Sequence, residues 1–204
     1  MLFDDTYKTL KTTSEGIFRD KGSKFIGYAY PIKNETEVKA ILAQIRTGHS
    51  KARHFCWALR LTPDRAVFRV NDDGEPSGTA GRPILNTLLS ADITNILIVV
   101  VRYFGGTLLG VPGLINAYKS ASIEAIQANE IIIKTVNDVY ELTFDYLMMN
   151  DVMKILKEEQ LGVLKQEFDS SCSIHFEVRK ANLNAVLGKL EKINGVKVKY
   201  LYTY

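Results

Sequence analysis

Cysteine is scarce in this chain. Its two residues, Cys56 and Cys172, stand far apart and neither belongs to a C-x-x-C pair, which excludes a disulfide framework and a zinc ribbon. Histidine spacing offers no metal ligand set: His54 shares a strand with Cys56, while His49 and His175 stand alone and no second pair has ligand spacing. No metal is therefore expected. The start, Met1-Leu2-Phe3-Asp4-Asp5, lacks the basic opening and long apolar segment of a secretion signal, and the longest apolar run is too short to cross a bilayer. A cytoplasmic protein without a membrane partner is the expectation. Nor is there a large excess of one charge: 26 basic against 23 acidic residues leave +3, short of the basicity that by itself announces nucleic-acid binding.

What is present suffices for a sizeable core, with 204 residues of which 46% are apolar, and the length suits one or two domains. The chain is organised around residues 71–118. The apolar run Ile96-Leu97-Ile98-Val99-Val100-Val101 does not alternate, which predicts a strand buried on both faces. Two loops flank it. The acidic loop spans Asn71 to Pro83 and the glycine-rich loop spans Arg102 to Gly113. Loops that spend so many glycines and charges beside a central strand are working surfaces more often than idle connections.

Before these loops, Ser14–Arg19 and Lys24–Ile32 read as strands around an Asp20-Lys21-Gly22-Ser23 turn. Asn34 with Glu37 marks a helix start, and Val38, Ile41, Leu42 and Ile45 follow at helical spacing. His54–Leu61 alternates strictly, with Phe55, Trp57, Leu59 and Leu61 predicted to face the core and His54, Cys56, Ala58 and Arg60 to line a small, polar, partly open face. Ala66–Val70 reads as its partner strand. A helix is predicted from near Pro83, and a longer one from near Pro112 with Leu114, Ala117, Tyr118, Ala121, Ala125 and Ile126 as its apolar stripe. After Lys134 the order becomes βαββαβ, the ferredoxin-like arrangement, with Gly162 and Gly195 where helix C-terminal caps are expected. The expected division is residues 1–134 and residues 135–204. Residues 1–134 hold 17 basic and 13 acidic side chains, residues 135–204 hold 9 and 10, so the slight basicity belongs to the first part.

Chemistry is expected at the two loops. Gly105, Gly106 and Gly110 join a strand to a helix, and free N–H groups at a helix N-terminus favour phosphate or carboxylate. Gly105 and Gly110 have a G-x-x-x-x-G gap, but Val111 and Pro112 stand where a phosphate loop needs Lys and Ser or Thr. The alternative is that the glycines only permit a tight turn and close packing. Asp72, Asp73 and Glu75 offer carboxylates, but their spacing fails the calcium-loop template. Ser77, His54 and Asp73 are the residue types of a hydrolase triad, yet Ser77 follows Pro76 outside any G-x-S-x-G context. Scattered arginines near Tyr103 and Phe104 are what a phosphate-rich ligand or RNA would use.

The segments Ser23-Lys24-Phe25-Ile26-Gly27, Arg53-His54-Phe55-Cys56-Trp57-Ala58, Asp72–Gly81 and Val101-Arg102-Tyr103-Phe104-Gly105-Gly106 with Leu109-Gly110 resemble the IMPACT/YigZ family from end to end. The resemblance implies an α+β protein: an N-terminal α/β domain like ribosomal protein S5 domain 2, then a ferredoxin-like domain similar to the last domain of elongation factor G. It also implies a link to translation, because eukaryotic members are regarded as regulators of translation under amino-acid stress. Many members carry Lys where this chain has Leu108 and Arg where it has Asn116, which leaves Arg102, Arg82 and Lys119 as the positive charge near the glycine loop.

The reading that results is a monomeric, translation-associated regulatory or binding protein without a cofactor. Its first domain is expected to engage RNA, a ribosomal or translation-factor partner, or a nucleotide or phosphate ligand. The alternatives are an enzyme acting on a phosphate-containing small molecule, or a hydrolase or peptidase. A dinuclear prolidase would need a carboxylate and histidine set that the chain does not supply.

Overall fold

The computed structural model describes residues 5–169 and 171–203. The first elements in chain order are β1 (Thr6–Leu10), β2 (Ser14–Asp20), β3 (Ser23–Pro31), α1 (Thr36–Gly48) and β4 (His54–Leu61). They are followed by β5 (Val67–Asn71), α2 (Gly81–Ser90), β6 (Ile96–Tyr103), α3 (Gly110–Gln127) and β7 (Ile131–Thr135). The chain then runs through β8 (Asn137–Phe144), α4 (Met149–Glu158), β9 (Gly162–Phe168), β10 (Cys172–Arg179), α5 (Leu183–Leu190) and β11 (Lys197–Thr203). Two compact units result, one of residues 7–134 and one that joins residues 135–203 with Asp5 and Thr6. The sequence reading kept those two residues with the first part. They group with the second because the Asp5 carboxylate binds the Arg179 guanidinium at 2.5 and 3.0 Å and its carbonyl accepts from the Val136 N–H. Among the described residues no helix is long and apolar enough to cross a membrane.

In the unit of residues 7–134 the main sheet has the order β2-β3-β6-β4-β5, and every neighbouring pair is antiparallel. The expected central strand is β6. Each residue from Ile96 to Arg102 is buried because helices cover both faces of the sheet. Ile96, Ile98 and Val100 pack with α2 and α3, whereas Leu97, Val99 and Val101 pack with α1. Period-two geometry assigns alternate side chains to opposite faces, so a strand between two helical layers has no polar side. This corrects the reading of β4. Its Cys56 and Ala58 face the α2 and α3 layer and are fully buried, so the face expected to be partly open is core.

Small residues let α3 lie close to the sheet. A Cβ at Gly27 would fall 2.3 Å from the Ala121 carbonyl oxygen, and Ala117, Ala121 and Ala125 are fully buried. That close approach sets the position of Tyr118, whose ring meets Phe25 edge-on at 5.2 Å between centroids. Two helices begin earlier than their prolines suggest, α2 at Gly81 and α3 at Gly110, since Pro is tolerated anywhere in a first turn. β1, which the sequence reading did not include, pairs with β7 in a two-stranded ribbon.

The second unit has the order βαββαβ, and its sheet runs β11-β8-β10-β9 with every pair antiparallel. Val152 and Leu156 of α4 and Val186 and Leu190 of α5 cover Leu142, Phe144, Ile174, Phe176 and Val178. Gly162 is not the cap of α4. Gln160 takes the left-handed backbone conformation at φ 52°, the Leu161 N–H reaches back to the Leu156 carbonyl, and Gly162 opens β9. Gly195 does take a positive φ, in the turn where the Val196 N–H bonds the Ile193 carbonyl.

Candidate functional site

The acidic loop follows β5, the edge strand beside β4, and is closed by its own carboxylates. The Asp72 side chain accepts from the N–H groups of Gly78, Ala80 and Gly81 at 2.9, 3.0 and 2.8 Å. It thereby caps α2 from nine residues upstream of the helix's first residue, where Ala80 offers no side-chain cap. Asp73 turns the other way. Its carboxylate accepts from the Phe55 N–H at 2.7 Å and from Arg46 at 3.1 Å, and the Arg46 guanidinium lies 4.4 Å from the Phe55 ring centroid. His54 Nδ1 donates to the Asp73 carbonyl at 3.0 Å, which makes Nδ1 the protonated nitrogen.

Glu75 reaches the second loop. Its Oε1 accepts from Arg102 Nη1 at 2.6 Å and from the Tyr118 hydroxyl at 2.8 Å, and the Arg102 and Glu75 side chains are only 7% and 4% exposed. The Cys56 thiol has two acceptors in reach, the Asp72 carbonyl at 2.9 Å and the Tyr118 oxygen at 3.3 Å. Burial pushes both the thiol and the phenol well above their ordinary pKa values. Neither is set up as a nucleophile at neutral pH. Tyr118 and Cys56 belong to this junction although motif reading passed over them. The available signal was a tyrosine on the buried stripe of a helix, since a buried hydroxyl requires a partner.

The glycine-rich loop is shaped by a neighbouring turn. A Cβ at Gly105 would lie 1.9 Å from the Gly22 carbonyl carbon, and the Gly105 N–H donates to Ser23 Oγ at 3.1 Å. Gly106 and Gly110 have positive φ, 87° and 71°, and α3 opens at Gly110 with no side-chain cap and no acid in its first turn. Phe104 and Leu108 are exposed at 57% and 82%, and Val111 and Ile115 beside them are exposed as well. The Arg102 guanidinium lies 5.5 Å from the ring centroids of both Phe25 and Phe104. Tyr103 is anchored on the other face: His49 is bonded at Nδ1 by the Tyr103 hydroxyl and at Nε2 by that of Tyr28, both at 2.8 Å. Burial raises Tyr28 to about 12.

The structure thus brings together Asp72, Asp73, Glu75, His54 and Arg102, with Gly105 against the turn before β3. It leaves Arg82 exposed on the first turn of α2 and Lys119 in a groove between α2 and α3. Ser77 is exposed, and no hydrogen bond joins it to His54 among the described residues. Among those residues there is also no group of three or more His, Cys, Asp or Glu positioned to hold a metal ion.

The fold and the junction define a class: a two-unit α+β protein whose first unit locks an acidic loop to a glycine-rich loop through one buried ion pair. The model of the Impact N-terminal domain matches residues 21–126. An IMPACT family member of Haemophilus influenzae is 34% identical over 86% of this chain and 86% of its own length. YigZ of Escherichia coli, also an IMPACT family member, is 30% identical over 83% of this chain and 84% of its own. The chain belongs to the IMPACT family. Its structure is similar to a crystal structure described as that of a hypothetical protein, at 25% identity and a TM-score of 0.76, covering 97% of this chain and 98% of the other.

Proposed function

We propose that this protein acts in the regulation of translation by binding, with its residue 7–134 unit engaging RNA exposed on a ribosomal particle. Family membership supports the setting, since eukaryotic members of the family are regarded as regulators of translation. The observation that carries the mode of action is the division of labour at the junction. Asp72, Asp73, Glu75 and Arg102 are spent on bonds within the protein, whereas Phe104, Leu108 and Val111 are exposed to solvent. Phe104 offers an exposed aromatic face suited to stacking on an unpaired base, a stacked base contributing roughly 1–3 kcal/mol. Arg82, exposed at the start of α2, supplies a cation for the phosphate backbone. The ferredoxin-like second unit and a cytoplasmic location belong to the same proposal.

The test is co-sedimentation of the purified protein with ribosomal particles, together with mass spectrometry of what copurifies. RNA or ribosomal proteins, lost with Phe104→Ala, are the expected outcome. A stoichiometric phosphate-bearing metabolite in their place would overturn the binding reading. It would favour an enzyme that uses the uncapped start of α3.

A further inference from the structure

A concavity lies in the groove where α2 and α3 pack side by side on the sheet. Its volume is about 560 Å³, within the range of roughly 300–1,000 Å³ typical of small-molecule sites. Pro83, Ile115, Ile123 and Ile126 make it predominantly apolar. Its lining residues include one cation, Lys119, and no acid. Lys119 has no ion-pair partner among the described residues and stands one helical turn from Ile115 and one from Ile123, so its stem runs over apolar surface while the ammonium is free for an anion. From Pro83 to Ser90 the α2 wall runs roughly 10 Å, long enough for an extended aliphatic chain.

We propose that this groove binds a medium-chain aliphatic monocarboxylate, its hydrocarbon chain lying between α2 and α3 and its carboxylate paired with Lys119. Charge complementarity chooses this occupant: a neutral lipid would leave the cation idle, and an oligoanion would bring more charge than one ammonium can match. The apolar length of the wall then favours a chain over a compact acid. This inference is independent of the translation reading, because none of the loop carboxylates lines the groove.

The test is calorimetric titration of the full chain with decanoate, octanoate, hexanoate and 1-decanol, with amide NMR shifts to locate the site. Saturable one-to-one binding of decanoate is expected, with amide shifts in α2 and α3. Affinity should rise by up to about fourfold for each CH₂ added, the ratio implied by the transfer free energy of a buried methylene. Lys119→Met keeps the stem and removes the charge, so it should weaken decanoate about tenfold and leave 1-decanol unchanged. Ser90→Trp, an exposed rim position on α2, should block both ligands without altering the thermal midpoint. Lack of saturable binding, shifts centred on the glycine loop, or equal decanoate affinity in Lys119→Met would each overturn the proposal. So would a preference for an acidic amphipathic peptide over decanoate, which would make the groove a protein-docking site.

Discussion

Arg102 Nη1 lies 2.6 Å from Glu75 Oε1, joining the end of the central strand to the crown of the acidic loop inside the protein. Removing one partner of such a pair leaves the other charged and buried, which costs about 3–5 kcal/mol, whereas replacing both with apolar groups is often neutral. Glu75→Ala or Arg102→Ala should therefore lower the thermal midpoint strongly. Glu75→Met with Arg102→Met should recover most of the loss. A double-mutant cycle by urea denaturation measures this, and additive losses would show that the two residues are not coupled.

The same arginine separates a structural role from an anion-binding one. If Arg102 serves only the ion pair, Arg102→Ala is destabilised but keeps its RNA affinity and salt slope. A direct phosphate contact would instead cost about 1.5–3 kcal/mol of binding and make the salt dependence shallower. Melting temperature and RNA affinity at two salt concentrations decide between them; the pairing with Glu75 leads us to expect the first result.

Asp72 gathers three backbone N–H groups at the start of α2. Asp72→Ala should cost about 2 kcal/mol, the scale of a lost helix cap together with a lost charged hydrogen bond. Hydrogen exchange should show faster opening at residues 78–84 than elsewhere in the unit. Uniform loss of protection would contradict a local clasp.

Glycines of the second loop should rank by neighbour rather than by number. Gly105→Ala pushes a Cβ into the Gly22 and Ser23 backbone and should cost several kcal/mol. Gly106→Ala meets open space and bears only the left-handed conformation, about 1–2 kcal/mol. Equal losses on thermal denaturation would refute the packing account.

Alkaline pH should loosen the first unit. Burial raises Tyr28 to about 12 from 10.0, so its neutral form is favoured in the fold. The contribution is full below the unfolded pKa and is lost as pH rises from about 10 to about 12; Tyr30, Tyr118 and Cys56 shift in the same direction. Stability measured by denaturant across that window should fall, and fall less in Tyr28→Phe. A flat profile would argue against burial of these phenols.

Much of this architecture was legible from residue order. The unbroken run of β-branched and other apolar residues from Ile96 to Val101 announced a strand buried on both faces, and the stripe from Leu114 to Ile126 announced α3, because burial periodicity is a local property. The βαββαβ order after Lys134 was equally plain. Glycine and charge content singled out both loops, and with them Asp72, Glu75 and Arg102. What only the tertiary structure decided is who meets whom: Asp72 with α2, Glu75 with Arg102 and Tyr118, Gly105 with Gly22. Those partners lie on different elements, 9 to 83 positions apart in the numbering. Their pairing follows from strand order and helix placement rather than from any local preference. The same cause hid the burial of Cys56, since alternation along β4 tells which residues share a face but not that α2 and α3 cover it.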